Sequence, residues 1–147
     1  FVKNSSSYKA GQRIAEMGAC NNCHFYGLEK PKQAALTWAP NLVLSTERLR
    51  PEWLVEWFTN PQDIMPGTKM PAPYIPTEEP VNSVVEVWGE DIARISTDST
   101  KLYKALNDWM WGMDGPEDVS SIVRIHIETN GYGFIIEDDD WGDEDWE

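Results

Sequence analysis

The sequence predicts a mainly α-helical domain with a C-terminal β-hairpin appended. Three observations carry that expectation. Apolar residues recur at helical spacing in three separate stretches before residue 112. Proline and glycine punctuate the chain between those stretches, as they do in turns and loops. Only after Pro116 does the pattern change to alternation about an Asn-Gly pair.

Residues 1–9, FVKNSSSYK, read as a loose polar lead-in. A helix is expected over about Gly11 to Ala19, with Ile14 and Met17 at helical spacing. LEKPKQAALTWAPNLVLS reads as loop, broken by Pro31 and Pro40. RPEWLVEWFTN reads as a second helix: Pro51 suits its first turn, and Trp53, Leu54, Trp57 and Phe58 share a face. Pro61 is expected to stop it, and PQDIMPGTKMPAPYIP reads as a proline-rich loop. Residues 77–98 fit either a strand or a short helix. STKLYKALNDWMW reads as a third helix, with Leu102, Leu106, Trp109 and Met110 on its apolar face and a Ser or Thr in 96–100 as its cap. In SIVRIHIE, Val123, Ile125 and Ile127 alternate with Arg124, His126 and Glu128; Asn130-Gly131 and YGFIIE then complete a two-residue hairpin. No internal repeat is present.

At 147 residues the chain suits one domain with an appendage. Its 41% hydrophobic and 12% aromatic content supports a globular body rather than a disordered one. Eight tryptophans are enough to line a large flat prosthetic group, although any one of them serves equally as core. Net charge is −13, and residues 137–147 hold eight acidic groups and no basic ones. Nucleic acid is excluded as a partner, because phosphate binding needs clustered Lys and Arg. A basic protein surface suits the charge. No apolar run approaches the roughly 20 residues of a membrane span. The chain begins with Phe1 rather than Met, so a preceding signal or lipid anchor is left open.

The stretch GACNNCHFYG holds the only two cysteines, Cys20 and Cys23, with His24 directly after the second. C-x-x-C-H is the attachment signature of c-type haem. Two thiols at this spacing reach the two vinyl groups of the porphyrin and form thioethers, and the next residue projects toward the iron. A tetrahedral zinc site wants two more close ligands, and His126 is the sole further histidine. A redox dithiol wants a thiolate-stabilising helix start, whereas here the expected helix precedes the cysteines. Sixth-ligand candidates are His126, Met17, Met65, Met70, Met110 and Met113. Met17 is too close to the attachment helix to reach the far face. Met110 and Met113 lie on or just past the third helix, where Met is usually core filler. Met65 and Met70 both sit in the stiff Pro/Gly loop IMPGTKMP.

GQRIAEMGACNNCH, APNL, WLVEWFTNPQDIMPGTKM and LYKALNDWMW occur in an order that resembles the class I c-type cytochromes. The resemblance covers roughly residues 10–72 and 100–112. It implies a cytochrome c fold over residues 1–113, with helices around one covalent haem c bound by Cys20 and Cys23. By the same resemblance Gly11 is the helix-crossing glycine, and Leu106 and Trp109 pack on the N-terminal helix. It implies His24 and Met70 as axial ligands, Pro40 as acceptor for the His24 ring, Thr68 near a haem propionate, and Trp57 beside the ligand sulfur. Ala15 departs from the aromatic often found at its place, a volume that Trp109 can fill. About 73–98 is an insertion, and 114–147 has no counterpart in the minimal fold.

A haem with His and Met on its two faces offers no open position for substrate, so the expected function is electron transfer, not catalysis. The alternative is a fixed haem c subunit or domain of a larger membrane-associated oxidoreductase, such as a respiratory-chain complex; a haem enzyme or gas sensor is the third reading. Expected partners are redox proteins with a basic docking surface. Thioether attachment in this family implies a periplasmic or otherwise extracytoplasmic location. Residues 116–147 are expected to form a docking element, since a lone hairpin is marginally stable and this one has more apolar surface than it can hide. Trp141 and Trp146 would anchor such a contact.

Overall fold

The computed structural model describes residues 5–113. The expected hairpin, His126 and the acidic run at 137–147 lie outside the described residues. Helix α1 spans Ser6–Gly18, α2 Ser45–Arg48, α3 Pro51–Thr59, α4 Pro61–Ile64, α5 Val81–Trp88, α6 Glu90–Ala93 and α7 Ser99–Trp111. Single 3-10 turns occupy Cys20–Asn22, Ala35–Thr37 and Leu42–Leu44. The described residues are mainly helical and include no strand, only isolated bridges between His24 and Ala39 and between Tyr26 and Glu29.

Local chemistry sets the helix ends, in several places not where periodicity suggests. Helix α1 begins earlier than expected, inside the polar lead-in, because the Ser5 hydroxyl accepts the Tyr8 N–H at 3.2 Å. It stops where Ala19 takes a left-handed conformation, with φ at 51°. Pro61 does more than end α3. Its fixed φ suits a first helical position, and α4 starts there. The cap of α7 is Asp98, not a Ser or Thr: its carboxylate accepts the Lys101 N–H at 3.2 Å. Asp98→Ala should therefore lower the unfolding free energy by about 1 kcal/mol, read from a denaturant midpoint. An unchanged midpoint would show that α7 does not depend on this cap.

Helices α1 and α7 cross at the centre. Ala10, Ile14 and Ala15 from α1 and Leu102, Ala105, Leu106 and Trp109 from α7 are all buried. The crossing is close because Gly11 has no side chain: a Cβ there would lie 1.9 Å from the carbonyl oxygen of Ala105. The Ser7 hydroxyl donates to Asp108 Oδ2 at 2.6 Å across the same pair. Helix α3 adds Leu54 and Phe58, the latter 6.1 Å from the Tyr103 ring by centroids.

The ambiguous segment 77–98 is helical. Val84, Trp88 and Ile92 recur at every fourth position and are buried in the main core. Arg13 of α1 donates to the carbonyl of Val87 at 2.8 Å, tying α1 to the end of α5. This segment is thus part of the core. Trp109 does not fill all the volume beside the small Ala15. It meets Tyr26 edge to face at 5.4 Å, and a cavity of about 360 Å³ remains, bordered by Ala15, Tyr26, Trp109 and Met113. No helix of the described residues is long and apolar enough to cross a membrane.

Candidate functional site

The C-terminal end of α1 delivers the chain to the two cysteines. The left-handed Ala19 turns it into the 3-10 turn Cys20–Asn22, which the His24 N–H closes on the Cys20 carbonyl at 3.0 Å. A second segment is zipped alongside. Ala39 N–H donates to the Cys23 carbonyl at 2.8 Å, and Leu42 N–H to the Phe25 carbonyl at 3.0 Å. Asn41 locks the pair: its Oδ1 accepts Gly27 N–H at 3.0 Å, and its Nδ2 donates to the Gly27 carbonyl at 2.9 Å.

This zipper brings His24 to Pro40. His24 Nδ1 lies 2.6 Å from the Pro40 carbonyl. A carbonyl can only accept, so Nδ1 carries the proton and the lone pair is on Nε2. Burial lowers the His24 pKa from its ordinary value, and the Pro40 acceptor opposes that shift. The neutral ring favoured by burial is the form that ligates metals.

Both cysteines are free thiols. Burial pushes Cys20 up to about 11, with repulsion from Cys23 adding to it. A catalytic dithiol needs the opposite, a thiolate stabilised at a helix start. Among the described residues no three His, Cys, Asp or Glu side chains form a group that could hold a metal ion, so a tetrahedral zinc site finds no ligand set there.

The loop that carries Met65 and Met70 is held by side-chain contacts that differ between the two methionines. Gln62 of α4 donates from Nε2 to the Thr68 carbonyl, and its Oε1 accepts Gly67 N–H at 3.3 Å. Gly67 has φ at 88°, a left-handed conformation that a side chain would strain. Met70 N–H then donates to Thr68 Oγ1 at 3.3 Å. The Trp57 indole N–H donates to Met70 Sδ at 3.0 Å. Met70 is half-buried against the core. Met65 is 58% exposed and Met17 42% exposed, whereas Met110 is buried in the α1–α7 core. Met113 borders the cavity beside Ala15, which none of Cys20, Cys23, His24 or Met70 lines.

Two residues that organise these loops, Asn41 and Gln62, had no role in the sequence reading. Asn41 directly follows Pro40 in APNL, so an Asx-type loop staple could have been suspected there. Gln62 carries no such signal. Comparison with known proteins finds no matching family model, no similar curated protein and no similar solved structure.

Proposed function

We propose that this chain is an electron-transfer protein of the class I cytochrome c type. In this reading it binds one haem c through thioethers of Cys20 and Cys23, with His24 and Met70 as axial ligands. The observation that carries the reading is a pair of hydrogen bonds. His24 commits Nδ1 to the Pro40 carbonyl at 2.6 Å, and Met70 Sδ accepts the Trp57 N–H at 3.0 Å. Each of the two side chains is left with one free lone pair, on His24 Nε2 and on Met70 Sδ. With two free thiols in C-x-x-C-H, that donor set suits haem c and leaves no function for a third metal-binding side chain.

Haem c supplies a one-electron iron couple when bound. The chain's own residues then do the rest. The Pro40 carbonyl fixes the His24 ring and raises its basicity. The Trp57 N–H draws electron density from the Met70 sulfur, which would favour the reduced form of a bound haem. Thr68 Oγ1 accepts from the Met70 N–H, and its hydroxyl proton would be available to a haem propionate. With His24 and Met70 both engaged by the group, no position would be left open for a substrate, which suits electron transfer.

An extracytoplasmic redox partner with a basic surface fits the net charge of −13. Its association should slow as ionic strength rises past roughly 0.1 M, where screening reaches about 10 Å. A salt-independent rate would leave the acidity as a solubility feature. The acidic, tryptophan-bearing segment after Met113 favours a fixed subunit of a larger oxidoreductase over a freely diffusing carrier, and mild purification separates the two by what accompanies the protein. Carbon monoxide added to the reduced protein tests the general reading. No spectral change is expected; ready binding would point to a sensor or an enzyme.

A further inference from the structure

We infer that Trp53 is a positioning residue for Met70, acting through Trp57. The inference rests on the proposed haem ligation and concerns what sets the orientation of the methionine sulfur. Trp53 and Trp57 lie one turn apart on α3, the spacing at which helix side chains meet. Their rings are nearly parallel, 5.2 Å apart by centroids with 17° between planes. That is a stacked arrangement, within the range aromatic pairs prefer.

The far side of this stack ends on the ligand. Trp57 Nε1 is 3.0 Å from Met70 Sδ. Indole donates and cannot accept, so the bond has one direction, and nothing else on the ring can replace it. Methionine is unbranched and flexible, so by itself Met70 would present its sulfur in many ways. The Trp57 N–H engages one sulfur lone pair and leaves one, which selects among those orientations. Trp57 is only half-buried, and an indole with an open face could turn its N–H toward water. Leu54 and Phe58, both buried, fix the core side of α3. Trp53 covers one face of the Trp57 ring and keeps the N–H on the sulfur.

Reduction potential, the far-red sulfur-to-iron band and cyanide affinity of the oxidised holoprotein test this. Trp57→Phe should lower the potential and weaken the band. Trp53→Leu should shift both the same way by a smaller amount and strengthen cyanide binding, and Trp53→Phe should restore most of the loss by restoring the stack. The double variant Trp53→Leu with Trp57→Phe should match Trp57→Phe alone, because residues acting through one bond are not additive. If Trp53→Leu does not fold, Trp53→Met keeps much of the volume without a planar ring and gives the same comparison. The inference is overturned if the Trp53 variant keeps the parent's potential, band and cyanide affinity while only stability falls. Full additivity with Trp57→Phe overturns it equally. A parent protein with covalent haem but no far-red band would instead overturn Met70 ligation, and this inference with it.

Discussion

Met70→Ala is expected to abolish the far-red sulfur-to-iron band, open the iron to carbon monoxide and cyanide, and drop the reduction potential. Methionine ligation raises haem potentials, and axial ligands together span about 0.8 V, so the drop should be a substantial part of that range. The protein should still fold, since Met70 is a half-buried residue at the edge of the core, and the proposed thioethers at Cys20 and Cys23 should still retain haem. Met65→Ala should do none of this. The two methionines share one loop, but the Met70 sulfur accepts from the Trp57 N–H at 3.0 Å, while Met65 is 58% exposed. Absorption spectra of the two oxidised variants, with and without cyanide, decide the matter. Loss of the band in Met65→Ala and its survival in Met70→Ala would reverse the assignment.

Gly11→Ala is expected to destabilise the protein severely, by about 3 kcal/mol, at the upper end of what overpacking usually costs. The sign is informative, because the same change in an uncrowded helix stabilises by roughly 0.5–1 kcal/mol. Here the new Cβ would meet the Ala105 carbonyl oxygen at 1.9 Å and its carbon at 2.5 Å. Those are backbone atoms of α7, so relief requires the two helices to move apart and the core between them to open. Gly18→Ala is the matched control: its Cβ would find only Cys20 Sγ, at an ordinary 3.8 Å. Urea unfolding should separate the two variants clearly. A Gly11→Ala protein as stable as its parent would mean that α1 and α7 do not cross this closely.

The apolar face of the third helix was legible from its spacing, whereas the crossing at Gly11 was implied only by the resemblance. Leu102, Leu106 and Trp109 are buried as their spacing requires. Helix ends were less legible, because they depend on single side-chain bonds. Ser5 starts α1 inside a stretch whose serines read as loop, and α7 is capped by Asp98 rather than by any Ser or Thr in 96–100. The segment 77–98 mixed valines suited to a strand with a fourfold spacing suited to a helix, and burial of Val84, Trp88 and Ile92 selected the helix. At the site, Cys20, Cys23 and His24 could be read from spacing alone. Pro40, Trp57, Thr68 and Met70 came from a resemblance. The His24–Pro40 and Trp57–Met70 contacts join residues 16 and 13 positions apart, which no periodicity reports. Gln62 acts by bonding to backbone at Gly67 and Thr68, and such partners leave no mark on composition.

The most direct measurement is extraction of the purified protein with acidified acetone, followed by mass analysis of the polypeptide. Cys20 and Cys23 each forming a thioether would leave the colour on the chain and add the mass of one haem. Replacing either cysteine by Ala should leave at most one such bond. Colour that passes wholly into the solvent, with both thiols still titratable, would contradict the proposal that this chain is built to carry a covalent haem.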